Sequence, residues 1–263
     1  MKDYEQEIRQ TAQTFGVKSD IHPKDLMFQF YLKQDQDFQT GGIGVRRYFE
    51  SGRESAQRVD DLIHRFAAPN QGRLNMLEFA SGYGCVTRHL EYLNHNHHTI
   101  ACDIHPEAIE FLVRVMGVEA ILSEAVPEKF HPRHSFQVIF AISFFSHMPN
   151  TTWGRWLRTL VELLSENGIL IFTTHGEKIA RTWRADQGIS AYWGEIVFNE
   201  SGYWFRPETE QHDLPTDEYG TTLVTPQYVT SRISEIEAAS LLFFQEGFWW
   251  GGQDTYVVQK ILS

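Results

Sequence analysis

The sequence predicts an α/β protein built on a doubly wound, Rossmann-like parallel sheet, and three observations carry that expectation. From residue 74, short apolar runs alternate with amphipathic stretches, the pattern of strand–helix–strand crossovers. A turn containing Gly82 and Gly84 lies directly after the first run. An acid, Asp103, closes the second run nineteen residues after Gly84. Ligands of such sheets bind beyond the carboxyl ends of the strands, so these positions mark where chemistry is expected.

Taken in order, residues 1–72 read as a helical N-terminal cap, polar and Gln-rich, interrupted by a turn at Gly41-Gly42-Ile43-Gly44. Within Tyr48–Phe66 the apolar residues 59, 62, 63 and 66 share one helical face, and Pro69-Asn70-Gln71-Gly72 closes the segment. Residues 73–176 hold the ligand-binding core, with strands expected at Leu74–Phe79, Thr99–Cys102, Glu119–Leu122, Phe136–Ile142 and Ile169–Thr173. Pro106 opens a helix that places Ile109, Leu112, Val113 and Met116 on one side and stops at Gly117. Trp153, Trp156, Leu157, Leu160, Val161 and Leu164 recur at three-and-four spacing, giving a second helix that ends before Gly168.

Residues 177–225 break the alternation and form a β-rich insert, with Asn199-Glu200-Ser201-Gly202 as a hairpin turn. Its aromatics Tyr192, Trp193, Phe198, Tyr203, Trp204 and Phe205 suit either the insert's own core or a lid that meets an acceptor. Residues 226–263 return to the core through a helix near Thr225–Ala239 and two β-like runs, Leu241–Phe244 and Thr255–Ile261.

Composition narrows the function. The chain has 263 residues, with 23 Lys and Arg against 34 Asp and Glu for a net charge of −11. That length supports one large core with additions. That charge argues against nucleic acid as a partner, because phosphate-backbone binding needs clustered cations. Two cysteines, Cys85 and Cys102, are too few for a disulfide framework or a four-cysteine zinc site. His95-Asn96-His97-His98 lacks a neighbouring carboxylate or thiol and is expected on a solvated surface loop, with no metal. The N-terminal Met1-Lys-Asp-Tyr-Glu-Gln-Glu7 is rich in charge and lacks the apolar stretch of a signal peptide, and no apolar run approaches the roughly 20 residues of a membrane span. A soluble cytoplasmic protein without a membrane partner is expected.

The chemistry concentrates in Met76-Leu-Glu-Phe-Ala-Ser-Gly-Tyr-Gly-Cys-Val-Thr-Arg-His-Leu90. A glycine turn between strand and helix lets a ligand approach the backbone and aims helix N–H groups at it. Asp103 is placed to accept two ribose hydroxyls, so any nucleoside-containing ligand fits. A dinucleotide site wants a third glycine for close helix–strand packing, and Cys85 stands there. Glu78, just before the turn, would repel a pyrophosphate but tolerates a cation. S-adenosylmethionine carries a sulfonium and an ammonium and no phosphate, so charge favours it over a nicotinamide dinucleotide.

With these residues in place, 74–176 resemble a class I S-adenosylmethionine-dependent methyltransferase. Glu78, Gly82 and Gly84 match the family's first motif, acid-x-Gly-x-Gly-x-Gly, whereas Ala80 replaces its first glycine. Alanine permits a small-residue turn there but disfavours positive φ. The resemblance implies that Asp103 binds the ribose and Ile104 lies beside the adenine. It also implies that Glu124 and Ala125 border the ring and that Ala141 lies near the methionine part. It implies a seven-stranded sheet whose last strand is antiparallel, completed by the C-terminal hairpin.

Absences narrow the acceptor. Ala141-Ile142-Ser143-Phe144-Phe145 is not the Asn/Asp-Pro-Pro-Tyr motif of amino-methylating DNA enzymes, and neither cysteine follows a proline. No Glu pair follows strand four, and the acids of the metal-dependent catechol type are not evident. A metal-independent transferase acting on a small molecule or saccharide remains, and O-methylation is expected. His147, just past strand four, is the expected general base and His175, after strand five, the second candidate. Tyr48 and Gly52, placed before the N-terminal helix, are expected to close over the cofactor's amino-acid end. The rival readings are a nicotinamide-dependent oxidoreductase and a non-catalytic module that binds S-adenosylmethionine and partners another enzyme.

Overall fold

The computed structural model describes residues 4–38, 43–68, 73–93, 97–189, 194–208, 214–215 and 217–262. Three helices come first: α1 Glu5–Phe15, α2 Leu26–Phe38 and α3 Gly44–Phe66. The core then runs β1 Leu74–Phe79, α4 Thr87–Leu93, β2 His97–Asp103, α5 Pro106–Phe111, β3 Glu119–Leu122, β4 Phe136–Ala141, α6 Asn150–Glu162 and β5 Leu164–Thr174. There follow α7 Glu177–Ala185, β6 Tyr203–Arg206, β7 Thr221–Val224, α8 Pro226–Ser234, β8 Ala239–Trp249 and β9 Gln253–Lys260. Seven strands form one sheet in the order β3-β2-β1-β4-β5-β9-β8, and β6 and β7 form a separate pair. The expected seven-stranded doubly wound sheet is therefore present.

The chain divides into two compact units, Met1–Arg65 with Asn70–Ser123, and Phe66–Pro69 with Glu124–Ser263. In the first, β1, β2 and β3 pair in parallel, so Phe79 lies beside Cys102 and Asp103 beside Leu122. The apolar runs that predict these strands are buried because a parallel sheet is covered on both faces. Met76, Leu77, Ile100, Ala101 and Cys102 have no exposed surface. Gly117 closes the helical segment after α5 with φ 68°, as a C-terminal glycine does. A second cluster joins Ile8, Ala12, Phe28, Val45, Tyr48 and Phe49 of the three N-terminal helices.

In the second unit β4 and β5 are parallel, whereas β9 runs antiparallel to both β5 and β8. Trp153, Trp156, Leu157, Leu160 and Val161 of α6 are buried, so the three-and-four pattern marks the packed face. Thr225 caps α8 by accepting the Tyr228 N–H at 3.2 Å.

Three expectations change. The Asn199–Gly202 turn forms, closed by the Asn199 N–H on the Tyr203 carbonyl at 2.9 Å, but it does not join a hairpin. The partner of β6 is β7, with Tyr203 opposite Val224. His97 and His98 belong to β2 instead of a loop, where His97 is buried and His98 meets the Glu119 carboxylate at 3.0 Å. Tyr48 and Gly52 lie inside α3 instead of before a helix. Gly41, Gly42, the 69–72 turn, His95, Asn96, Tyr192 and Trp193 lie outside the described residues. Among those described, no helix is long and apolar enough to cross a membrane.

Candidate functional site

In the first unit the loop after β1 gathers most of the expected ligand-binding residues. Ala80, Gly82 and Gly84 all take left-handed backbone, with φ 61°, 56° and 80°. Ala80 therefore adopts the conformation its side chain disfavours, against expectation. A Cβ on Gly82 would meet no atom within 4 Å, so the backbone there faces open space. The Gly82 N–H donates to Asp103 Oδ2 at 2.8 Å, tying the loop to the end of β2. Asp103 Oδ1 accepts the His105 backbone N–H at 3.0 Å and lies 2.8 Å from its ring Nδ1. A carboxylate offers about four acceptor positions, so with these three taken Oδ2 keeps a further lone pair. Ile104 is half-buried beside it.

Glu78 is 4% exposed near the end of β1. Burial, with the Asp103 charge adding to it, pushes its carboxyl up to about 8 despite the Thr87 hydroxyl bond at 2.6 Å. The charge logic of the sequence thus needs correcting: without a cation beside it, Glu78 is mostly protonated at neutral pH.

Arg88 holds this loop from behind and is only 3% exposed. It donates to the carbonyls of Gly84, Lys18 and Asp20 at 3.0 Å each and to the Tyr48 hydroxyl at 3.1 Å. Tyr48 in turn donates to Asp25 at 2.6 Å. A Cβ on Gly52 would collide with the Cys85 carbonyl at 2.1 Å. Tyr48 and Gly52 therefore pack the N-terminal helices against the loop, and the fully buried Tyr48 ring has no face for a ligand. Thr87 and Arg88 were missed in the sequence, although both stand one helical turn beyond the glycines.

The second unit holds the remaining candidates. Glu124 and Ala125 are exposed after β3, whereas Ala141 ends β4 with no exposed surface. The loop after β4 is built on Ser143, a non-glycine at φ 59°. His147 follows, and its Nδ1 lies 2.8 Å from the Gly220 carbonyl oxygen. A carbonyl can only accept, so Nδ1 carries the proton and Nε2 the lone pair. The Tyr219 ring stacks on His147 at 4.7 Å, nearly parallel. The insert thus orients His147 through residues 219 and 220, which no local motif announces.

His175 lies 6.2 Å from His147 between ring centroids. Burial, with His147 alongside, pushes it down to about 3, so it stays neutral. Gln253, from the start of β9, links Ser143, Thr173 and His175. Of the insert aromatics, Phe198 and Trp204 pack with Trp183 on Ala180, Ile196 and Leu223, making a small core of the insert's own.

The family model described as Methyltransferase domain matches residues 49–216. No curated protein matches the sequence. Among solved structures, a S-adenosylmethionine-dependent methyltransferase from Clostridium acetobutylicum ATCC 824 aligns at 12% identity, over 80% of this chain and 92% of that one, with a TM-score of 0.53. CalS10, an amino pentose methyltransferase from Micromonospora echinaspora with S-adenosylmethionine bound, aligns at 13%, over 80% and 92%, with a TM-score of 0.54. Magnesium protoporphyrin IX methyltransferase from Synechocystis PCC 6803 aligns at 7%, over 98% and 96%, with a TM-score of 0.55. At these identities the likeness is one of fold, and the acceptors of the two named enzymes differ in kind.

Proposed function

The chain belongs to the methyltransferase-domain family, and from that premise we propose that it moves a methyl group from S-adenosylmethionine to a hydroxyl oxygen of a small molecule or saccharide, without a metal ion. The family leaves no place for the nicotinamide-dependent reading.

The loop after β1 suits this cofactor. The open face at Gly82 admits a ligand against the backbone, and Asp103 Oδ2 retains an acceptor position for a ribose hydroxyl. Glu78 is a buried carboxyl that a nearby cation would return to its charged form. A phosphate would instead keep it in the neutral form. When bound, S-adenosylmethionine supplies an electrophilic methyl carbon on a sulfonium leaving group.

The single observation that supports a hydroxyl acceptor is the orientation of His147. Its Nδ1–H is held by the Gly220 carbonyl, which leaves Nε2 basic. An alcohol must lose a proton as it is methylated, and a positioned imidazole takes it at neutral pH. His147 removes that proton, while the loop and Asp103 hold the cofactor in place, which is where effective molarity arises. The reading is tested by labelled methyl transfer to a panel of hydroxylated acceptors. Transfer to amines alone, or to none while the cofactor binds, would sink it; binding of NAD but not S-adenosylmethionine would sink the cofactor assignment as well.

A further inference from the structure

Among the described residues, the Nδ1 of His175 is buried and has no hydrogen-bond partner. Its protonation state follows from the network on its other nitrogen. The Ser143 N–H donates to Thr173 Oγ1 at 2.8 Å, and the Thr173 hydroxyl donates onward to Gln253 Oε1 at 2.6 Å. In this arrangement the Gln253 amide turns its oxygen toward Thr173 and Ser143 Oγ. Its Nε2 therefore donates, to Ser143 Oγ at 2.8 Å and toward His175 Nε2 at 3.4 Å. An amide nitrogen cannot accept, so His175 Nε2 carries the lone pair and Nδ1 the proton. A buried N–H without an acceptor is costly and calls for a partner that the described residues do not supply.

We propose that His175 is a fixed hydrogen-bond donor of the acceptor site, presenting its Nδ1–H to an oxygen of the substrate that neighbours the methylated hydroxyl. This rests on the methyltransferase reading above and deepens it. His147 and His175 share a tautomer but use opposite nitrogens: His147 spends its N–H on Gly220 and accepts, whereas His175 spends its lone pair on Gln253 and donates. His175 is thus not a second base. The substrate class that satisfies both rings carries a hydroxyl with an adjacent oxygen, a polyoxygenated small molecule such as a vicinal diol or sugar. Gln253 is a positioning residue that acts through His175.

The test is long-range ¹H–¹⁵N spectroscopy on histidine-labelled protein, alone and saturated with S-adenosylhomocysteine, assigned with His175→Gln and His147→Gln. The expected result is a pyrrole-type Nδ1 and a pyridine-type Nε2 for His175, with the neutral ring persisting at pH 5. Gln253→Glu replaces the donor with an acceptor and should move the proton to Nε2. A wild-type proton on Nε2, or a tautomer indifferent to Gln253→Glu, overturns the proposal. Failure of S-adenosylhomocysteine to bind would instead strike the parent reading, because the spectrum of the protein alone still decides the tautomer. With a hydroxylated acceptor that is turned over, His175→Gln should lose about tenfold in kcat/KM and His175→Asn, whose amide lies near the Nδ1 position, should lose less. Equal losses overturn the proposal.

Discussion

The imidazole of His147 donates its Nδ1–H to the carbonyl of Gly220, 2.8 Å away and 73 residues later in the chain. That bond leaves the lone pair on Nε2, and on the proposed reading it makes the insert part of the chemistry. Replacing His147 by Gln should lower turnover of a hydroxylated acceptor by on the order of 10²–10⁴-fold while S-adenosylhomocysteine affinity, read by calorimetry, stays unchanged. Gly220 tests the same relationship from the other side. A Cβ there would meet the Arg206 carbonyl at 2.3 Å, so Gly220→Ala must displace the carbonyl that orients the ring. It should lower kcat without altering cofactor affinity.

Glu78 sets a pH dependence. Burial pushes its carboxyl up to about 8 in the folded protein, from an ordinary 4.5. Between those values the folded state binds the proton and the unfolded state does not, so stability falls as pH rises through this window and levels off above it. The full effect is on the order of a few kcal/mol. Urea unfolding at pH 5, 7 and 9 should show the decline, and Glu78→Gln should flatten it. Cofactor binding beside Glu78 should also release a proton, seen as an enthalpy that varies with the buffer's ionisation heat. A Glu78→Gln variant with the same pH slope as wild type would remove Glu78 as the cause.

How much of this was legible in the sequence depends on how far apart the partners lie. The limits of β1 and β3 matched the expected strands residue for residue, because an apolar run bounded by polar residues is a local signal. The start of β2 was missed because His97 and His98 are polar yet pair with Leu74 and Asn75 of β1. The pairing of β6 with β7 was missed for the opposite reason. A strong turn at Asn199 precedes β6, while its true partner lies beyond fourteen residues that separate the strands. Gly52 was read as a ligand-facing residue, but its missing Cβ makes room for a backbone carbonyl. The tautomers of His147 and His175 depend on residues more than seventy positions away, and no spacing rule reaches that far.

Arg88 is the buried cation on which the N-terminal cap depends. Its guanidinium lies 5.3 Å from the Tyr48 ring centroid and 5.6 Å from that of Phe49, and its donors close the Gly84, Lys18 and Asp20 carbonyls. Arg88→Met would leave those carbonyls and the buried Asp25 without their cation, and about 3–5 kcal/mol of stability should be lost. Arg88→Lys should recover only a minor part, because a single ammonium cannot reproduce the planar fork. The urea midpoint measures both. Equal midpoints for wild type and Arg88→Met would show that the cap is held by its apolar cluster alone.

Ala80 offers the opposite experiment, a substitution that should stabilise. It stands where the family motif has glycine and nevertheless adopts φ 61°, in series with Gly82 and Gly84. Left-handed backbone costs an L-residue about 1–2 kcal/mol, and glycine avoids that at an entropic cost of about 0.5–1 kcal/mol. Ala80→Gly should therefore raise stability by roughly 0.5–1 kcal/mol, and Ala80→Val should lower it because a β-branched side chain tolerates this region least. Ala80 is exposed, so neither change removes packing that could mask the backbone effect. Thermal unfolding of the pair decides it. An Ala80→Gly variant that melts below wild type would mean that the loop does not hold positive φ at this position in solution.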